Sequence, residues 1–156
     1  MPVDPAAARS AKTASARVLA SVLADTYMLF LKTQNFQWNV AGPECLNLHQ
    51  LFARQSHALR MSLTDIAERI RTLDEHVPAT HAKLKAFAMV RETEDLPDAT
   101  AMVRELTVDN ETLASTLRTA LAAAMAGGEA VTAALLTSRL EHQERQLWIM
   151  KSMLAS

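Results

Sequence analysis

The sequence predicts an all-α fold, a bundle of four long helices with a short helix in the connection between the second and the third. Three observations lead to this prediction. Apolar residues recur at steps of three and four along extended segments. Glycine and proline are scarce, with three and five residues among 156, and mark the points where helices are expected to end. No segment is a candidate strand.

The first two helices are predicted from continuous apolar or small faces. The first covers residues 13–40, after a flexible terminal segment at residues 1–12. Its face comprises Leu19, Leu23, Thr26, Phe30, Thr33 and Gln37. An Ala-Gly-Pro turn at residues 41–43 ends it. The second helix covers residues 44–74 and stops before Pro78. Its face comprises Leu48, Phe52, Gln55, Leu59, Leu63, Ile66, Ile70 and Leu73.

The second half of the chain repeats this pattern after a long connector. Residues 80–90 form a short helix, and the third long helix starts within residues 94–100, with Pro97 at an early position, and runs to residue 126. A Gly-Gly turn then leads into a last helix over residues 129–154. The apolar positions are Val103, Leu106, Leu113, Leu117, Leu135, Leu136, Leu140, Leu147 and Met150. One long crossover in a four-helix bundle is the ferritin-like topology, so residues 13–156 are predicted to be a single domain.

Composition narrows the functional class. Apolar residues make up 49% of the chain and charged residues 21%, as in soluble globular proteins. A net charge of −1 argues against a general attraction to nucleic acid. The single Cys45 excludes an internal disulfide and fits a reducing compartment. With no signal peptide or membrane-spanning run expected, the chain is predicted to be cytoplasmic.

Candidate metal ligands concentrate on the second helix, at His49, His57, Asp65 and Glu68. His49 and Glu68 are separated by about 28 Å of helix, at roughly 1.5 Å per residue, so they cannot bind one ion within a subunit. A two-fold dimer would bring one subunit's His49 beside the other's Glu68. The common alternative is that these side chains are simply solvated.

Other chemistry has weaker support. Cys45 and His49 are four residues apart and could share a helix face, but no third group would orient them, so no catalytic residue is assigned. No phosphate-binding glycine loop is present. Trp38 and Trp148 are interpreted as packing residues.

Several segments resemble the Dps family, the DNA-protection-during-starvation mini-ferritins. They are QWNVAGPECLNLHQLF, DIAERIRTL, AMVRELTVDNE and LLTSRLEHQERQLWIMKSML, and the resemblance extends over residues 20–154. It implies a homo-oligomer, a dodecameric shell built on two-fold dimers. Members typically oxidise ferrous iron (Fe2+) between paired subunits and store the ferric (Fe3+) mineral inside. Many also associate with DNA.

The family's ligand positions are only partly kept. The histidine before the Trp-Asn pair is Gln37 here, while the next histidine is retained as His49. The two positions that usually hold an aspartate or other carboxylate are Ala53 and Thr64, and the glutamate is retained as Glu68. Because ferric iron favours negative oxygen donors, we expect weak iron affinity and slow oxidation.

Two accessory ligands and three functional alternatives stay open. Asp65 is one residue from a ligand position, about 100° around the helix, and His57 lies about 80° from His49. The chain is therefore either an iron-oxidising storage shell or a structural or partner-binding shell without ferroxidase activity. DNA binding is expected to be weak, because the N-terminal segment carries only Arg9, Lys12 and Arg17 and the C-terminus has no basic tail. A bundle that only mediates protein contacts is a third alternative.

Overall fold

The computed structural model describes residues 2–155, and within them it contains five helices and no strand. The helices are α1 (Pro5–Asn39), α2 (Cys45–Thr72), α3 (His81–Phe87), α4 (Ala99–Ala126) and α5 (Ala130–Leu154). Helices α1, α2, α4 and α5 form the bundle, and α3 lies in the crossover between α2 and α4. This confirms the predicted all-α fold with a short helix in its central connection.

Helix α1 begins eight residues earlier than the sequence analysis placed it. Asp4 is its N-cap and accepts a hydrogen bond from the Ala6 amide at 3.1 Å, and Pro5 takes the first helical position. Both features favour helix initiation, and the alanines that follow propagate it. The segment expected to be loose is therefore helical from Pro5 onward, and Met1 lies outside the described residues.

The start of α4 also differs in detail from the prediction. Asp98 caps the helix by accepting from the Ala101 amide at 2.9 Å. Pro97 therefore precedes the cap and does not occupy an early helical position. The other predicted helix ends lie within a few residues of the observed ones.

The predicted apolar faces form the core. On α2 every predicted position is buried except Leu63, which is half-buried, and on α4 all four are buried. Helix α1 packs against α2, α3 and α4, so it is covered on several sides. Side chains within this core that are less than 2% exposed include Leu19, Phe36, Phe52, Ile66, Leu106 and Met150.

One buried carboxylate anchors the crossover to the bundle. Asp25 of α1 is 0% exposed. Its Oδ1 accepts from the backbone amides of Met89 and Val90 at 2.6 and 3.0 Å, and its Oδ2 accepts from Thr116 Oγ1 at 2.6 Å. These bonds tie the segment after α3 to α1 and α4 at once, and so fix where the chain turns toward α4.

Helix α1 is long and apolar enough to meet a compositional criterion for a membrane span, with a mean hydropathy of 1.3 over an 18-residue window. Of that window, 61% is buried inside the bundle. The central helix of a bundle is expected to be apolar on several sides for this reason.

Candidate metal centre

The His49 ring is held in one orientation by the end of the preceding helix. His49 lies near the start of α2 and is exposed, and its Nδ1 is 2.8 Å from the backbone carbonyl oxygen of Gln37 on α1. A carbonyl oxygen only accepts hydrogen bonds, so Nδ1 carries the proton in this contact. In the neutral ring the lone pair is then on Nε2, which is free to bind a metal ion. Metal-binding histidines usually donate their other nitrogen in this way.

The Gln37 side chain is also fixed, by a residue that the sequence analysis missed. Gln37 is half-buried, and its Oε1 lies 3.2 Å from the hydroxyl of the buried Ser56, which also lies 3.1 Å from the Ala53 carbonyl oxygen. Ser56 follows His49 by two helical turns and therefore faces the same end of α1. The structure thus brings Gln37 and His49 together and adds Ser56 beneath them.

The remaining family positions offer no acid near this pair. Ala53 is half-buried and has no donor atom in its side chain, and Thr64 is exposed with only a hydroxyl to offer. Glu68 is exposed and lies far along the same helix from His49. No group of three or more His, Cys, Asp or Glu residues within 2–155 could hold a metal ion. A site that uses both His49 and Glu68 requires a second subunit.

The two accessory candidates have different surroundings. His57 is exposed on α2. Asp65 is exposed and lies close enough to Arg139 of α5 for its charge to act on that guanidinium. Burial lowers the pKa of Arg139, and the charge of Asp65 partly opposes this shift. Asp65 is therefore associated electrostatically with α5.

Cys45 and His49 are bonded to different partners. The half-buried thiol of Cys45 donates to the Val40 carbonyl oxygen at 3.4 Å, while His49 donates to Gln37. Both contacts reach back to the end of α1 and close the turn between the two helices. They position the start of α2, and with it the His49 ring.

The two tryptophans do not pack within the subunit. Trp38 is 67% exposed and Trp148 is 69% exposed, so the interpretation of both as packing residues is wrong for the isolated chain. Trp38 adjoins Gln37 at the end of α1. An aromatic ring this exposed beside a candidate site is available for contact with a neighbouring molecule.

Comparison with known proteins shows similarity over nearly the whole chain. The ferritin-like domain family model matches residues 17–156. An uncharacterized low temperature-induced protein of Nostoc sp. is 34% identical over 134 residues, covering 83% of this chain and 74% of that protein. DNA protection during starvation protein 2 of Bacillus anthracis is 27% identical over 137 residues, covering 88% and 94%.

Solved structures give the same result for the fold. The Dps protein of Vibrio cholerae O1, described as a member of a broad superfamily of ferritin-like diiron-carboxylate proteins, superposes with a TM-score of 0.90. It is 25% identical, with 94% of this chain and 92% of that chain covered. A Dps protein of Bacillus brevis gives a TM-score of 0.90 at 26% identity, with 93% and 97% covered.

Proposed function

The chain belongs to the Dps family of mini-ferritins, within the ferritin-like superfamily, and from that premise we propose that it forms a cytoplasmic homo-oligomeric shell that binds and stores iron. Iron is the substrate and cargo in this proposal. Ferrous ions bind between two-fold-related subunits, each lose one electron slowly to dissolved dioxygen, and are retained as ferric mineral. The dodecamer typical of the family is the assembly proposed.

The observation that carries the proposal is the orientation of His49. Its Nδ1 is engaged by the Gln37 carbonyl oxygen at 2.8 Å, which leaves Nε2 as the nitrogen that can bind a metal ion. An exposed histidine with a simple solvated role would not require such a partner. The backbone of α1 thus supports a metal-binding imidazole although the side chain at position 37 is no longer a histidine.

The donor set accounts for the reduced activity that we propose. One subunit supplies the His49 imidazole and its partner supplies the Glu68 carboxylate, with water completing the coordination. Imidazole and carboxylate together suit divalent iron, whereas ferric iron draws more strongly on negative oxygen donors. Because Ala53 and Thr64 stand at positions where the family has acids, the site stabilises the ferric product less, and oxidation is expected to be slow.

Exposed apolar side chains support the proposed assembly. Leu46, Met61 and Trp148 are 68%, 59% and 69% exposed within one subunit. Burying apolar area contributes about 25 cal/mol per Å², so these residues favour contacts between copies of the chain. Self-association would also bring a Glu68 carboxylate to His49, which has no acid near it within its own subunit.

Iron oxidation by purified, iron-free protein tests the proposal. Ferrous iron is added aerobically and the ferric absorbance is followed. The wild type should exceed the protein-free rate, and His49→Ala or Glu68→Gln should each remove the excess. His76→Ala is the matched control, because His76 is also exposed but lies beyond the C-terminal end of α2. Equal rates for the wild type and His49→Ala would contradict the proposed site.

Mixed assemblies test the intersubunit arrangement directly. A dimer of one His49→Ala subunit and one Glu68→Gln subunit retains one intact site, because the unaltered His49 and Glu68 come from different chains. Co-assembly of the two inactive variants should therefore restore part of the oxidation rate. A mixture as inactive as either variant alone would rule out a site shared between subunits.

The second candidate function is a shell without ferroxidase activity, favoured by the loss of acids at positions 53 and 64. It predicts a wild-type rate of iron oxidation no higher than that of the protein-free control.

DNA binding by such a shell would be weak, since Lys12 in the basic N-terminal segment already lies 3.7 Å from Asp74. A gel shift at low ionic strength that vanishes on adding salt would reveal it, because phosphate contacts weaken steeply with salt.

A further inference from the structure

The Gln37 side chain is held with its carboxamide oxygen toward Ser56. Its Oε1 lies 3.2 Å from the hydroxyl of Ser56, which is 6% exposed. That hydroxyl has a single proton and also lies 3.1 Å from the Ala53 carbonyl oxygen. The Ala53 carbonyl already accepts the helical bond of α2 from the amide four residues on, whereas Gln37 Oε1 has no other donor among residues 2–155. The Ser56 hydroxyl therefore donates to Gln37 Oε1.

The nitrogen of the same carboxamide is left as a free donor. Oxygen and nitrogen diverge from the carboxamide carbon in one plane, so holding Oε1 at Ser56 turns Nε2 away from it. Nε2 donates to no group among residues 2–155, where the buried side-chain polar atoms without a hydrogen bond belong to Gln55 and Asp109. Nε2 of Gln37 is therefore open to solvent. A carboxamide nitrogen carries two donors, so this group offers hydrogen bonds and not a metal ligand.

This donor lies at the edge of the proposed metal site. The main chain of Gln37 bonds to the His49 ring, with 2.8 Å between its carbonyl oxygen and Nδ1, while its side chain bonds to Ser56, seven residues further along α2. Ala53 lies between these two contacts, and its methyl group leaves the space beside the amide open. Because Nε2 is directed away from Ser56, it faces back along α2 toward the His49 ring.

We propose that Gln37 is a positioning residue, whose Nε2 donates a hydrogen bond to Glu68 of the partner subunit and holds that carboxylate against the metal ion bound by His49. The inference rests on the proposed intersubunit site. A carboxylate has two oxygens, so one can bind the metal ion while the other accepts from the amide. Carboxylates that bind metal ions are commonly held by such hydrogen bonds. Gln37 thus has a role in the site although it supplies no ligand.

Zinc binding to the assembled, iron-free protein tests the proposal without requiring oxidation. Zn2+ takes imidazole and carboxylate ligands, and isothermal titration measures its affinity. Gln37→Leu is similar in size but has no donor, and should weaken Zn2+ binding about threefold to tenfold, as expected for one partly solvated hydrogen bond. Gln34→Leu is the matched control and should bind Zn2+ as the wild type does. Gln34 is also half-buried on α1 but lines a separate cavity with Glu94.

A double-mutant cycle with Glu68→Ala distinguishes a positioning residue from a ligand. If the amide acts through the Glu68 carboxylate, Gln37→Leu should change the Zn2+ affinity by less than about twofold once residue 68 is alanine. An equal loss in both backgrounds would overturn the proposal, because the Gln37 oxygen would then bind the metal ion directly. An unchanged affinity of Gln37→Leu when Glu68 is present would overturn it as well.

His49→Ala separates failure of this inference from failure of the proposed metal site. If His49→Ala binds Zn2+ as the wild type does, the proposed site is wrong, and the role of Gln37 is wrong with it. If His49→Ala loses the binding but Gln37→Leu does not, the metal site stands and only the role of Gln37 is refuted.

A crystal structure of the zinc-loaded assembly gives a second measurement that does not depend on the affinity of weak variants. The Gln37 side chain should end about 2.9 Å from the carboxylate of Glu68 of the partner subunit. None of its atoms should lie at the roughly 2.1 Å of a zinc ligand. A Gln37 atom at that ligand distance, or a zinc-bound Glu68 without contact to Gln37, would overturn the proposal.

Discussion

Replacing Asp25 should detach the crossover from the bundle. Asp25→Ala removes the acceptor for the amides of Met89 and Val90 and for the Thr116 hydroxyl. Thr116 is half-buried and can turn its hydroxyl toward its own helix. The Val90 amide is buried and has no such alternative, whereas the Met89 amide is part-buried and can bind water in part. An unsatisfied buried donor costs about 1–3 kcal/mol, and with a smaller contribution from Met89 we expect Asp25→Ala to lower the free energy of unfolding by about 2–4 kcal/mol.

Asp25→Asn separates the loss of the acceptor from the loss of the charge. Its side-chain oxygen can still accept from both amides, and its nitrogen can donate to the Thr116 oxygen. Only the charge-assisted part of the bonds is lost, which costs about 1 kcal/mol. Thr116→Val is the control for the hydroxyl bond alone and should cost a similar amount.

Urea unfolding at fixed protein concentration gives the free energies, since assembly contributes to apparent stability. Hydrogen exchange resolved to the segment 88–93 gives the local effect. In Asp25→Ala the amides of Met89 and Val90 should lose protection well before those of the bundle helices. Unchanged protection there, or an Asp25→Asn variant as unstable as Asp25→Ala, would refute the anchoring role.

Three further changes have defined outcomes. Gln37→His should raise the initial rate of ferrous iron oxidation at least about tenfold, because it returns an imidazole beside His49, and an unchanged rate would place oxidation elsewhere. Asp74→Gly should stabilise the protein by about 0.5–1 kcal/mol in thermal unfolding, because Asp74 has a φ of 63° after α2 and glycine adopts this conformation without strain. An Asp74→Ala variant that is equally stabilised would point to the loss of charge instead, because alanine has no preference for this conformation. Burial, with the neighbouring charges of Arg139 and Arg145, lowers the pKa of His142 below its ordinary 6.5 in the folded state, so the unfolded chain takes up the proton first as the pH falls. The free energy of unfolding should therefore fall as the pH drops below about 6.5, and His142→Gln should show less of this fall in thermal unfolding.

The helices could be predicted from the sequence because each apolar face is a local pattern. The positions on α2 from Leu48 to Leu73 repeat with helical spacing, and burial follows that spacing. The start of α1 was misplaced because residues 5–12 carry no apolar face. Asp4 and Pro5 give the signal that does locate it, a capping residue followed by proline.

The contacts of the candidate sites could be predicted only in part. The separation of His49 from Glu68 follows from helix geometry alone. The contact between the His49 ring and the Gln37 backbone depends on how closely the ends of α1 and α2 approach, which no local pattern specifies. The same holds for Asp25 and Met89, since these residues are distant in sequence and meet only through the packing of helices.

Gln37 explains how the proposed metal site keeps an oriented imidazole after the loss of one ligand side chain. Two separate properties reside at that position, a side chain that could bind metal and a backbone carbonyl that orients the neighbouring imidazole. Substitution removes the first and leaves the second, because the His49 contact is made by the main chain. Any residue at position 37 that keeps α1 helical to its end would preserve the His49 tautomer. Under the proposed function, metal affinity should therefore decline in steps as ligands are lost, and loss of either His49 or Glu68 should remove what is left.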